Sequence, residues 1–104
     1  MLLNDTIVAL ATASGTGAIA IIRVSGPDAI PIVDKLFKAK SGKTLEQQAS
    51  HTLQLGHLYE GKKIIDEVLV SVFKGTRSYT GEPCVEISCH GTDYIKQQII
   101  FVLK

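Results

Sequence analysis

Ten residues near the middle of the chain, Ile64-Ile-Asp-Glu-Val-Leu-Val-Ser-Val-Phe73, constrain the fold more than any others. β-Branched residues dominate the run, which reads as one long strand. Its core triplet Val68-Leu69-Val70 predicts burial on both sides at a sheet centre. Such a strand needs partners on either flank and cover above it, and the chain has 104 residues with which to supply them. That length allows one domain, residues 1–104, with a single modest core. Hydrophobic residues are 45 % and charged residues 20 % of the chain, so the core can be filled, and no low-complexity or single-sign charge run breaks it up.

The remaining elements follow from local pattern. Asp5 to Thr12 and Ala18 to Val24 read as two strands joined by a glycine-containing turn, which suggests a hairpin. Ser25-Gly26-Pro27-Asp28 is a helix-start signal, with Ala29, Ile32, Val33, Leu36 and Phe37 at helical spacing beyond it. Pro31 moves the start of regular helix toward residue 28 or 29. Residues 39–51 are polar and read as a long loop. Thr52 to Tyr59 alternates, with Leu53, Leu55, His57 and Tyr59 on one face, so His57 is expected in the core. Cys84 to Cys89 reads as a last short strand. Thr92 then N-caps a helix that places Ile95, Ile99 and Val102 on one face. That helix reaches Lys104 without a breaker, as expected of a piece of a longer protein. The order argues for an α+β fold, a mixed and mainly antiparallel sheet with two helices.

Two sequence motifs mislead. Gly15, Gly17 and Ala20 fit the spacing of a dinucleotide-binding turn, but that motif needs a helix immediately after the glycines to receive the pyrophosphate, and Ile19, Ile21, Ile22 and Val24 form a strand pattern instead. A hairpin turn explains the glycines better. Ser41-Gly42-Lys43-Thr44 ends like a P-loop, yet Phe37 stands where its first glycine belongs.

Composition excludes further classes. A net charge of +1 gives no footprint for gripping nucleic acid non-specifically. No apolar stretch approaches a membrane span, and Asp5 stands where a signal peptide carries positive charge, so a cytoplasmic protein is expected. Cys84 and Cys89 fit neither a redox pair nor a zinc knuckle. Their odd separation on a strand points them to opposite faces as buried free thiols. No nucleophile and base, and no metal-ligand cluster, shows in the spacing, so no catalytic residue and no metal site is assigned.

Arg23 and Glu86 carry the open question. Arg23 shares strand parity with Ile19 and Ile21, where it either snorkels to water or offers a planar donor fork. Glu86 lies mid-strand between Val85 and Ile87, where Glu is depleted. On a solvent face it needs no explanation; in a pocket its carboxylate pairs with two N–H donors, such as the guanidinium-like edge of a pterin. His90, at a strand end before Gly91, is open between a turn and a site.

Three blocks in order, "DTIVALATASGTGAIAIIRVSG", "DEVLVSVFKGTRSYTGE" and "VEISCHG", resemble the N-terminal domain of the tRNA modification GTPase family called MnmE or TrmE. The departures are Ala13-Ser14 in place of a proline pair, Pro83 in place of an acidic residue, and Thr92 in place of a second glycine. The resemblance implies a fold similar to the folate-binding module of aminomethyltransferases, and a homodimer that binds a tetrahydrofolate derivative in its 5-formyl or 5,10-methylene form. By position, the family's folate-contacting arginine falls on Arg23 and its glutamate on Glu86; loop position and the tolerance of glycine add Gly15, Gly17 and Arg77 to Gly81 as residues that shape the pocket or dimer face. It further implies a helical domain carrying a GTP-binding domain, with GTP, Mg and K sites, outside these residues. A flavin-dependent partner, MnmG or GidA, would act with the full protein on the wobble uridine of tRNA. This fragment would have no activity alone. The rival expectation is a pure dimerisation or partner-docking module without its own ligand.

Overall fold

The computed structural model describes residues 6–12, 17–75 and 81–104. Among these, six strands and two helices follow in the order β1 (Ile7–Leu10), β2 (Ile19–Ser25), α1 (Ala29–Asp34), β3 (Phe37–Ala39), β4 (Thr52–Glu60), β5 (Lys63–Phe73), β6 (Cys84–His90) and α2 (Asp93–Leu103). The strands form one sheet in the spatial order β1-β2-β6-β5-β4-β3, antiparallel at every step. The expected α+β class is found, with no parallel pair in this sheet.

Both helices cover the same face. Ala20, Ile22 and Val24 of β2, Val68, Val70 and Val72 of β5, and Val85 and Ile87 of β6 are buried there in one cluster with Ala29, Ile30 and Val33 of α1 and Ile99 and Leu103 of α2. The opposite face carries the alternate residues, and neither of the described helices lies over it. Leu69 consequently stands 43 % exposed. The expectation of burial on both sides fails because β5, although central, is covered on one side only. His57 fails the core expectation for the same reason: it shares the open face with Leu53 and Leu55, while Gly56 and Leu58 face inward.

The first helix is shorter than its periodicity suggested. It begins at Ala29, so Pro31 falls in the first turn, where its missing N–H has no intrahelical partner to lose. It ends at Asp34, and Phe37 pairs with Leu58 in the short edge strand β3, which the helical spacing had hidden. Most of the polar segment expected as a loop is one, but it is anchored. Leu45 is buried, and the Asp34 carboxylate accepts the Leu45 and Glu46 amides at 2.7 and 3.2 Å. In α2, Thr92 caps by accepting the Ile95 amide at 3.2 Å; of the expected face, Ile99 is fully buried and Ile95 packs partly buried against the core, Val102 is half-buried, and Lys96 and Leu103 are buried as well.

Gly17 answers part of the question about the glycine pair. Its amide donates to the Gly91 carbonyl, and the Gly91 amide donates to the Ala18 carbonyl, both at 3.2 Å. A Cβ on Gly91 would overlap the Gly17 backbone. The glycine thus closes the β1–β2 hairpin against the end of β6. Gly15 lies outside the described residues.

Candidate functional site

β2 and β6 run antiparallel in a register that sets Arg23 directly opposite Glu86. By strand parity both side chains project from the open face, between Ala9 of β1 on one side and Ser71 of β5 on the other. The guanidinium Nε donates to Glu86 Oε2 at 2.8 Å, and Nη2 lies 2.7 Å from the same oxygen. Both nitrogens therefore converge on one carboxylate oxygen, and Oε1 has no partner among the described residues. The side chains are 33 % and 23 % exposed. A pair this accessible contributes little to stability, but it holds a planar carboxylate facing outward and a planar cation beside it.

The sheet brings together two residues that stand 63 positions apart in the chain. Neither residue lines any of the cavities described among these residues. Of the segments expected to shape the site, Gly17 and Gly81 are described; Gly15 and residues 77–80 lie outside the described residues.

Electrostatics near the pair reach Cys84. It lies on the open face by parity but is buried, and burial pushes its thiol up, followed by the Glu86 carboxylate, with Arg23 acting the other way and Glu82 adding to the rise. Cys89 faces the core, where burial first and Asp66 second push its thiol up to about 11. Both sulfurs are thus protonated, unreactive groups near neutral pH, on opposite faces as their odd spacing required. No group of three metal-ligating side chains occurs among the described residues, and none of their helices is long and apolar enough to cross a membrane.

Sequence reasoning missed one constellation. Asp66 on β5 accepts the His90 backbone amide at 2.9 Å and pairs with His90 Nδ1 at 2.7 Å, with its own side chain 9 % exposed. A carboxylate inside a strand-forming run was the available signal, because Asp is depleted there. The β4–β5 ladder shifts register just beyond this residue, between Leu58 and Tyr59. A second cluster sits at the β3 side, where Glu67 meets Lys40 Nζ at 3.2 Å and His57 Nε2 at 3.9 Å.

Comparison with known proteins adds the following. Residues 6–104 match the family model described as GTP-binding protein TrmE N-terminus. The chain is 66 % identical over 103 residues to a tRNA modification GTPase MnmE of Christiangramia forsetii, covering 99 % of this chain and 22 % of that protein. It is 60 % identical over 103 residues to the protein of the same name from Flavobacterium psychrophilum, with the same coverage of 99 % and 22 %. With the Bacillus subtilis protein of that name the identity is 46 % over 98 residues, 92 % of this chain and 21 % of the relative. The chain thus spans about a fifth of the length of the curated relatives it matches.

Proposed function

The chain belongs to the TrmE N-terminal family, and from that premise we propose that residues 1–104 form a folate-binding and dimerisation domain of a tRNA modification GTPase. The observation that carries the ligand reading is the Arg23–Glu86 pair. A carboxylate that already receives two nitrogens of a guanidinium at 2.7 and 2.8 Å has the geometry to receive the amino and ring N–H donors of a pterin, whose edge resembles a guanidinium. The ligand's pterin would exchange with Arg23 at Glu86, and the displaced guanidinium would donate to an acceptor on the same ligand. The ligand class is a tetrahydrofolate derivative, in the 5-formyl or 5,10-methylene form, serving as one-carbon donor.

In the longer polypeptide the domain would act with the GTP-binding domain, with GTP, Mg and K bound there, and with a flavin-dependent MnmG or GidA partner in the cytoplasm. The product would be the aminomethyl or carboxymethylaminomethyl group on the wobble uridine of tRNA. Similarity to the folate-binding module of aminomethyltransferases belongs to the same proposal. Dimerisation draws support from the open face, where Ile7, Ile19, Leu53, Leu55 and Leu69 are exposed together; apolar surface concentrated on one face suits a second copy. The same observation favours the rival reading, a docking module with no ligand.

Calorimetric titration with 5-formyl-tetrahydrofolate separates the two. Saturable binding is expected, and Glu86→Gln, which keeps the shape and removes the charge, should weaken it about ten- to a hundredfold. A folded dimer that binds no folate would sink the ligand reading and leave the docking module. Equal binding by both proteins would remove Glu86 from the site.

A further inference from the structure

Helix α2 buries Lys96, Ile99 and Leu103 against the sheet, and the residues half a turn away form a second stripe on its outer side. Tyr94, Gln97, Gln98 and Phe101 follow one another there at the three- and four-residue spacing of a single helix face. Tyr94 is 59 % and Phe101 71 % exposed, and Ile64 near the start of β5 is 50 % exposed. A groove of about 360 Å³ runs along the stripe, lined by Glu60, Tyr94, Gln97, Gln98 and Phe101. A smaller cavity of about 60 Å³ shares Glu60, Tyr94 and Gln98 with it and reaches Ile64. Ile19, Leu53, Leu55 and Leu69, the apolar surface assigned above to the second copy, line neither of them.

The outer side of a surface helix normally carries charge. From Tyr94 to Leu103 the one charged side chain is Lys96, which is buried and pairs with Asp93 at 3.2 Å. The outer stripe is thus two aromatic rings with two neutral amides between them. A helix without a charged side is a covered helix, and the larger part of a related protein is available to cover this one. The matched stretch makes up 22 % of the MnmE protein of Christiangramia forsetii, and the matching family model is that of the N-terminus. The Lys104 amide donates to the Phe101 carbonyl at 3.3 Å, so polypeptide that follows it in a full-length protein starts at the Phe101 end of the stripe. A tethered segment acts at high effective concentration, whereas a free partner loses its translational and rotational freedom on binding.

We propose that the stripe from Tyr94 to Phe101 is the docking surface for a segment of the same polypeptide beyond residue 104, an apolar and uncharged stretch that packs on the two rings and hydrogen-bonds the Gln97 and Gln98 amides. This assignment rests on the reading of these residues as one domain of a longer protein, and on neither folate binding nor dimerisation.

Hydroxyl-radical footprinting read by mass spectrometry reports the exposure of Tyr and Phe rings, and the test applies it to the full-length protein and to the 104-residue chain side by side. Tyr94 and Phe101 are expected to be oxidised about three- to tenfold more slowly in the full-length protein, as rings taken into the close-packed core of an interface are. In the full-length protein Phe101→Ser should return Tyr94 to the rate of the short chain. Gln97→Arg, which puts a charge into the stripe and truncates nothing, should do the same. Three results overturn the proposal. Equal rates at both lengths would leave the stripe bare in the intact protein. Slow oxidation that speeds up on dilution, at either length, would give the face to another molecule. Protection that survives both substitutions would place the covering contact elsewhere. No folate is present and no residue of the open face is read, so failure here is distinct from failure of the folate or dimer reading.

Discussion

The two faces of the sheet are built from the same kinds of residue and have opposite fates. On β2, Ala20, Ile22 and Val24 lie under the helices, while Ile19, Ile21 and Arg23 alternate with them on the uncovered side. On β5, Val68 and Val70 are buried and Leu69 between them is not. Strand alternation decides which side chains share a face, but the helices decide which face becomes core. Here the choice leaves a carboxylate, a guanidinium, an imidazole and several large apolar groups on one accessible surface, the combination a binding face needs.

The contrast can be broken most forcefully by truncation on each side. Ile87→Ala removes a fully buried side chain facing both helices and is expected to cost about 2–5 kcal/mol in thermal or chemical unfolding. A loss below 1 kcal/mol would mean that the helices do not close that face. Next in size is Gly91→Ala, where the added Cβ meets the Gly17 backbone rather than a yielding side chain. The hairpin must shift, and about 1–3 kcal/mol should be lost.

The covered face should also reveal itself through pH. The Cys89 thiol is held protonated up to about 11, against 9.0 for an unperturbed thiol. Above pH 9 the unfolded chain therefore loses its thiol proton before the folded one does. Stability is fully present below pH 9 and falls as pH rises toward 11, by about 1 kcal/mol at pH 10. Denaturant midpoints recorded across that window check the sign, with Cys89→Ala expected to fall less steeply and the Cys84 thiol, also pushed up, left to account for part of the remaining slope. The smallest effect belongs to the open face: Leu69→Ser should change the unfolding midpoint of the monomeric chain by no more than about 0.5 kcal/mol. A larger loss under dilute, monomeric conditions would erase the distinction between the faces.

Much of this was legible in the sequence, and the rest was hidden for identifiable reasons. The hairpin, the long strand, the helix start near Ala29 and the Thr92 cap follow from local chemistry. Phe37 does not: at four residues beyond Val33 it continues a helical spacing, and only its pairing with Leu58 in β3 shows otherwise. Leu53, Leu55 and His57 formed an apolar stripe indistinguishable from a core stripe, because the identity of the covered face is a tertiary fact. For the site, parity placed Arg23 and Glu86 on strand faces, but their meeting depends on a β2–β6 register that no local pattern encodes. The Asp66–His90 pair was hidden by the same kind of distance, with 24 positions between its members.

The position of β6 has a consequence for the order in which this molecule can assemble. The hairpin made first, β1–β2, and the ribbon of β3, β4 and β5 that follows it share no strand pairing; each is hydrogen-bonded only to β6 at the seam. During synthesis the first eighty-odd residues are thus two separate half-sheets whose facing edges have nothing between them, and the strand that joins them emerges last. Closure requires contacts of long sequence separation, which are slow to form. Until Cys84 to His90 has left the ribosome, the unpaired edges of β2 and β5 are open to other chains. A nascent chain stalled before β6 is the species most prone to aggregate.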